Sequence, residues 1–231
     1  MRGVSTTRAH AHARTLFAEH RPRYAATLQR PGTPPCPCEG RYNPAAPGEH
    51  YVWLALLHRD NDEAGYRARD ADASAWTAFV NASTCFLDWT TIIHCQLVFW
   101  CRSAASFYTF SVDATHNRVF FASRKRFSRG WAFVRMRVSA AEERAAYEFL
   151  RTTARARTHF NRLGAYLVPL RPLGSSRGFF CSQLVVAALQ AAELLPGVQP
   201  HAVSPAGVER LLRALYAARL YDETEHLICP M

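Results

Sequence analysis

Residues 131–150 read WAFVRMRVSAAEERAAYEFL. The first eight alternate: Ala132, Val134, Met136 and Val138 fall on one side, Arg135 and Arg137 on the other. A period of two is the mark of a strand with one buried face. At Ser139 the period changes. Ser139 and Glu142 have capping-box spacing, in which each side chain satisfies a free backbone N–H at a helix start. Beyond them Tyr147, Leu150 and neighbouring alanines give a helical apolar stripe to about residue 156. A strand that hands over directly to an amphipathic helix predicts an α+β core, with helices packed on a sheet.

Both flanks extend this pattern. Upstream, YVWLALLHR (51–59), WTTIIHCQLVFWC (89–101), SFYTFSV (106–112) and NRVFFAS (117–123) read as strands, the last two at hairpin spacing. Downstream, GFFCSQLVVAALQAAELLPG predicts a second helix, stopped by Pro196-Gly197. SPAGVERLLRALYAARL predicts a third, with Ser204 as N-cap and Pro205 at the first helical position. Residues 1–48 are rich in Arg, Pro, Ala and His, with prolines at 31, 34, 35, 37, 44 and 47. They predict a flexible basic arm, with a short helix allowed over 13–29, ahead of a domain over 49–231.

The chain has 231 residues, 49% of them apolar, which suffices for one domain with a substantial core. No run reaches the roughly 18 apolar residues of a membrane span, and the N-terminal stretch lacks the apolar segment of a secretory signal. A reducing, cytoplasmic setting with free thiols is therefore expected for the seven cysteines, at 36, 38, 85, 95, 101, 181 and 229. Cys36 and Cys38 have no second pair at metal-site spacing, so a proline-stiffened loop is expected there rather than zinc. Net charge is +10, nearly all arginine, with Lys125 the sole lysine. Such a field favours anionic partners such as nucleic acid or acidic lipid, and serves solubility equally well.

Two segments carry candidate chemistry. In GFFCSQLVVAALQ (178–190), Cys181 stands where a helix begins. Free N–H groups and the positive end of the helix dipole favour a thiolate there, and the same groups can hold an oxyanion. Leu184, Val185, Ala188, Leu189 and Ala192 would anchor the helix in the core. In TTIIHCQLVFW, alternation puts His94, Gln96, Val98 and Trp100 on one face, with Cys95, Leu97 and Phe99 on the other, joined by Ile93. An imidazole inside so apolar a strand needs a partner, and a thiol at a helix start is one. The bland reading makes Cys181 a small buried hydrophobe and His94 a satisfied core histidine.

Together these segments resemble the circularly permuted papain-like, NlpC-type superfamily of cysteine peptidases and amidases. The subgroup with Phe/Tyr-Cys-Ser-Glu-Leu-Val signatures, which includes YiiX-like amidases and proteins of large DNA viruses, is the most similar. His94 precedes Cys181, the permuted order. HFNRLG (159–164) resembles the family's aromatic-Asn/Asp…Gly element, and the Ser-Pro at 204–205 its next helix start. The resemblance spans about residues 50–215 and implies an antiparallel sheet or half-barrel packed against helices. It implies Cys181 as nucleophile, His94 as general base, and hydrolysis or acyl transfer through a thioester, with no cofactor.

Gln96 stands where relatives carry an orienting Glu, while Ser111 and Thr109 on a neighbouring strand are rivals and Asp113 ranks below them. Ser182 and Gln183, which follow the nucleophile, are the expected contacts to the oxyanion or substrate. Phe160 replaces a common Tyr, removing a hydroxyl. Implied substrates are peptide, isopeptide or acyl-lipid carbonyls; a cytosolic setting argues against peptidoglycan. The alternative is a non-catalytic papain-fold or virion-associated protein whose Arg-rich surface contacts nucleic acid or acidic membrane. The stretch RVFFASRKRFSRGWAFVRMR (118–137) is the candidate for that surface, or simply a charged, protected strand edge.

Overall fold

The computed structural model describes residues 42, 48–58, 89–113, 116–124, 127, 130–161, 164–165 and 178–223. Cys36, Cys38, Cys85, Cys229, the 13–29 segment and the arm other than Tyr42 and Gly48 lie outside the described residues. Strands β1 (His50–His58), β2 (Ile92–Cys101), β3 (Ser106–Val112), β4 (Val119–Arg124) and β5 (Trp131–Val138) come first. Helices α1 (Ala140–Arg155), α2 (Cys181–Ala191) and α3 (Pro205–Tyr216) follow, and a short β6 (Leu220–Glu223) closes the series. All pairings are antiparallel, in the order β4-β3-β2-β1-β5-β6. The architecture is α+β, a six-stranded antiparallel sheet packed against helices. Among the described residues no helix is long and apolar enough to cross a membrane.

Strand alternation divides the sheet into two faces. On one, Leu54, Leu56, Cys95, Leu97, Phe99, Phe110, Val134 and Met136 pack against Tyr147 and Leu150 of α1, Leu184, Val185 and Leu189 of α2, and Val208 and Leu212 of α3. The other carries a smaller aromatic core of Trp53, Trp100, Phe107, Phe127, Trp131 and Phe133. Covalent reach shows that the sheet is not flat. β4 ends at Arg124 opposite Phe107, and β5 begins at Trp131 opposite Leu57, at the other end of the sheet and across β3, β2 and β1. The chain from 124 to 131 reaches about 24 Å at most, whereas on a flat sheet that diagonal is roughly 28 Å. Phe127, within the connection, touches both sides: its ring centroid lies 6.0 Å from Phe107 and 5.0 Å from Phe133.

The capping box at α1 is complete, with Glu142 N donating to Ser139 Oγ at 3.1 Å and Ser139 N to Glu142 Oε2 at 2.6 Å. Three expectations need correction. A register shift between Leu57 and His58 bulges β2, so Ile92 rather than Ile93 joins the helix-facing core. The second helix ends at Ala191, before Pro196-Gly197: Glu193 takes a left-handed φ of 60°, and Leu194 N reaches back to Leu189 O, closing a Schellman turn. Finally, β5 is no edge. It lies between β1 and β6, and its Arg135 guanidinium stacks on Tyr51 and Tyr221, 4.6 and 5.1 Å from the ring centres. β4 and β6 are the strands at the sheet's two edges.

Tyr42, in the stretch read as an arm, packs on the core. Its ring stacks on Tyr147 at 4.0 Å and its hydroxyl donates to Glu143, which also holds His50 Nδ1 at 2.6 Å. Burial, reinforced by the Glu143 charge, pushes the Tyr42 hydroxyl far above the usual phenol range.

Candidate active site

The segment after α1 delivers Cys181 to its place. Val119 N donates to Thr158 O at 2.7 Å and Phe160 N to Asn117 O at 3.2 Å, stitching this segment to the start of β4. Residues 178–180 then lie along it, with Phe179 N on His159 O at 3.0 Å and Asn161 N on Phe179 O at 2.8 Å. The close approach requires glycine at 178. Its φ is +86°, and a Cβ there would meet the His159 carbonyl oxygen at 2.3 Å. Asn161 Oδ1 accepts from Gly164 N at 2.8 Å, so the Asn and the Gly of HFNRLG are joined by a side-chain-to-backbone bond.

Cys181 is the first residue of α2. Phe180, the N-cap, offers no side-chain acceptor, and the first helical bond is Leu184 N to Phe180 O at 2.9 Å. Helix geometry leaves the N–H groups of Cys181, Ser182 and Gln183 without intrahelical acceptors. Apolar burial of Leu184, Val185, Val186, Ala188 and Leu189 fixes the helix on the sheet. Ser182 adds a fully buried bond, Oγ to Val203 O at 2.6 Å, which ties α2 to the segment entering α3. The Ser182 hydroxyl therefore faces the interior, away from any substrate, and only its backbone N–H belongs to the site. Gln183 is 8% exposed, and its Oε1 is buried without a hydrogen-bond partner.

The sheet is notched where Cys181 arrives. β2 pairs with β1 up to His58↔Ile92, but with β3 only from Leu97↔Phe110 onward. Residues 92–96 of β2 are thus unladdered on the β3 side. Cys181 fills this gap. Its sulfur accepts hydrogen bonds from the Cys95 thiol, the His94 ring and the Cys95 backbone N–H. Both neighbours thus reach it, although alternation turns their side chains to opposite faces, because the sulfur sits at the sheet's rim beside the bulge.

The His94 ring is held from two further sides. Its Nε2 lies 3.0 Å from Ser111 Oγ, and Trp131 meets it edge-on with ring centres 6.0 Å apart. Ser111 rather than Gln96 is the residue against the imidazole. Gln96 is 2% exposed, its Nε2 has no partner, and alternation puts it on the same face as His94 about 7 Å along the strand. Thr109 is committed elsewhere, to Ala122 O at 3.3 Å. Asp113 binds His116 at 2.9 Å and reaches His94 through its charge.

Hydrogen bonding from the Cys95 thiol holds the Cys181 thiol well below the usual range. Burial opposes this, while the charge and hydrogen bond of His94 and the Cys95 amide add to it. Cys95 moves the opposite way: burial first, then its bond to Cys181 and the thiolate charge, push it well above. Burial pulls the His94 ring down and Arg124 does the same, but the Cys181 charge and hydrogen bond, with Asp113, leave it raised. As whole residues Cys181 and His94 are both half-buried, while the sulfur and the imidazole themselves lie well below the surface.

Sequence reading supplied Cys181, His94 and, among its rivals, Ser111. It missed Cys95 and Trp131. A thiol directly beside the histidine was a visible signal, but strand alternation alone assigns it to the far face. Compared with family models, with curated proteins and with solved structures, the chain matches none.

Proposed function

We propose that the protein is a cysteine-dependent hydrolase or acyltransferase acting on an amide, isopeptide or ester carbonyl, built on a permuted papain-like, NlpC-type fold. The observation that carries this reading is the Cys181 thiol at the start of α2, hydrogen-bonded to an imidazole whose Nε2 Ser111 holds. The thiolate attacks the carbonyl carbon, and the developing oxyanion lies against the free N–H groups at the α2 start. His94, as imidazolium, gives its proton to the leaving amine or alcohol, leaving a thioester on Cys181. The neutral ring then takes a proton from water or an acceptor nucleophile as it attacks the thioester. The order of elements, a histidine strand before a cysteine helix against an antiparallel sheet, supports the permuted fold.

A small activated ester, p-nitrophenyl acetate, tests the reading without knowledge of the natural substrate. Expected is release of nitrophenol with an acetyl thioester trapped on Cys181, lost in Cys181→Ala and slowed about a hundredfold or more in His94→Ala. Acetylation spread equally over Cys95, Cys101 and Cys181, or indifferent to His94, would overturn it.

A further inference from the structure

Acyl transfer by Cys181 and His94 leaves the second thiol unexplained. Cys95 is 1% exposed and sits in the helix-facing core with Leu97 and Leu184, yet its sulfur meets that of Cys181. A Val or Ala would fill this site without placing a second sulfur against the first. The two come from elements far apart in sequence, packed together by the α2–β2 contact. Cys101, on the same face of β2, lies about 20 Å further along the strand, where it faces Ser103 Oγ at 3.4 Å.

We propose that Cys181 and Cys95 form a peroxide-oxidisable dithiol, in which Cys181 is the peroxidatic thiol and Cys95 the resolving one. The Cys181 thiolate attacks one oxygen of hydrogen peroxide. The O–O bond breaks, hydroxide leaves with the electron pair and is protonated to water, and sulfur is oxidised to the sulfenic acid. The Cys95 thiol then gives up its proton, and its sulfur attacks the Cys181 sulfur. The S–O bond breaks, the departing hydroxide takes the proton as a second water, and the disulfide forms. In balance, two thiols and one peroxide give one disulfide and two waters. Hydrogen-bonded sulfurs need close only to the bond length of about 2.05 Å. Buried beside the nucleophile, Cys95 intercepts the sulfenic acid before a second peroxide does, so oxidation at this site is reversible by thiol reductants. The proposal concerns the thiol pair alone and needs no carbonyl substrate.

The test uses the full chain, treated with stoichiometric hydrogen peroxide, alkylated and mapped by non-reducing peptide mass spectrometry. Expected is a Cys95–Cys181 linked peptide, with both thiols recovered after dithiothreitol, and the same link in Cys101→Ser. In Cys95→Ala, Cys181 should instead trap dimedone and then pass to sulfinic acid, which dithiothreitol does not restore. Wild-type Cys181 found as sulfinic acid without the link, or linked to another cysteine, would overturn the proposal. The wild-type map decides this whether or not Cys95→Ala folds. A dyad that fails leaves a different trace, iodoacetamide labelling of Cys181 unchanged by His94→Ala.

Discussion

At the scale of the residue, everything turns on one sulfur and the groups that prefer it charged. The two shifts, Cys181 down and His94 up, both favour the thiolate–imidazolium form. An ordinary thiol loses about tenfold in alkylation rate for each pH unit below its own range. Cys181 is instead expected to keep its rate with iodoacetamide to lower pH than an ordinary thiol, falling only as pH passes its own depressed value. Ser111→Ala removes the acceptor of the protonated Nε2, so the His94 value drops. The upper limb of the acyl-transfer profile should then move to lower pH, with the maximal rate down about tenfold. A profile that keeps its shape in Ser111→Ala would show that the ring is held by its packing on Trp131 instead. Both measurements are rate profiles across pH on the folded chain.

At the scale of the element, two short-range devices fix α2, and they should fail differently. Gly178→Ala combines a left-handed φ with a clash against the His159 carbonyl, and is expected to cost about 1–3 kcal/mol. Because it shifts the segment that delivers Cys181, it should also abolish the selective alkylation of that thiol. Ser182→Ala removes a buried bond to Val203 O and should cost a similar amount, about 1–3 kcal/mol. It should leave the alkylation profile almost intact, because its hydroxyl faces the interior. Thermal melts read beside labelling rates separate the two. This is also where sequence reading succeeds and fails. β3 and β5 were legible to the residue because clean alternation or an apolar run ends at turn-forming neighbours. The end of α2 was not, because a Schellman turn with Glu193 at its left-handed position depends on backbone bonds rather than on Pro or Gly. β6, LYDE, is too short to show a period, and it exists because β5 offers it an open edge.

At the scale of the whole molecule, the meeting of Cys181 with His94 was legible because each carries a local anomaly: a polar ring in an apolar strand, a thiol at a helix start. The notch was not, since where a ladder stops is decided by strands distant in sequence. Nor was the attachment of Tyr42, an aromatic among prolines that stacks on Tyr147 and donates to Glu143. Chains begun at residue 41 and at residue 49 should therefore differ in melting temperature. Losing the Tyr42 contacts is expected to cost about 2–3 kcal/mol, or roughly 4–12 °C in a domain of this size. Tyr42→Ala in the full chain should reproduce most of that loss, and equal melting temperatures for both truncations would refute the anchor.

The strand order has a consequence in time. β1, made first, takes β5 as a direct neighbour, and the whole β2–β3–β4 meander must be passed before that partner arrives. Long-range pairing of this kind puts folding in the range of milliseconds to seconds, after the fast local hairpins. Cys95 is laddered to Leu56 of β1, a partner distant in sequence, whereas the sulfur it greets rides on a helix made after β1 to β5. A pulse of alkylating reagent during refolding should thus find Cys95 protected only late, its shelter waiting on the arrival of α2. The interval in which a newborn chain shows both thiols to its surroundings is set by topology, and only docking of that helix ends it.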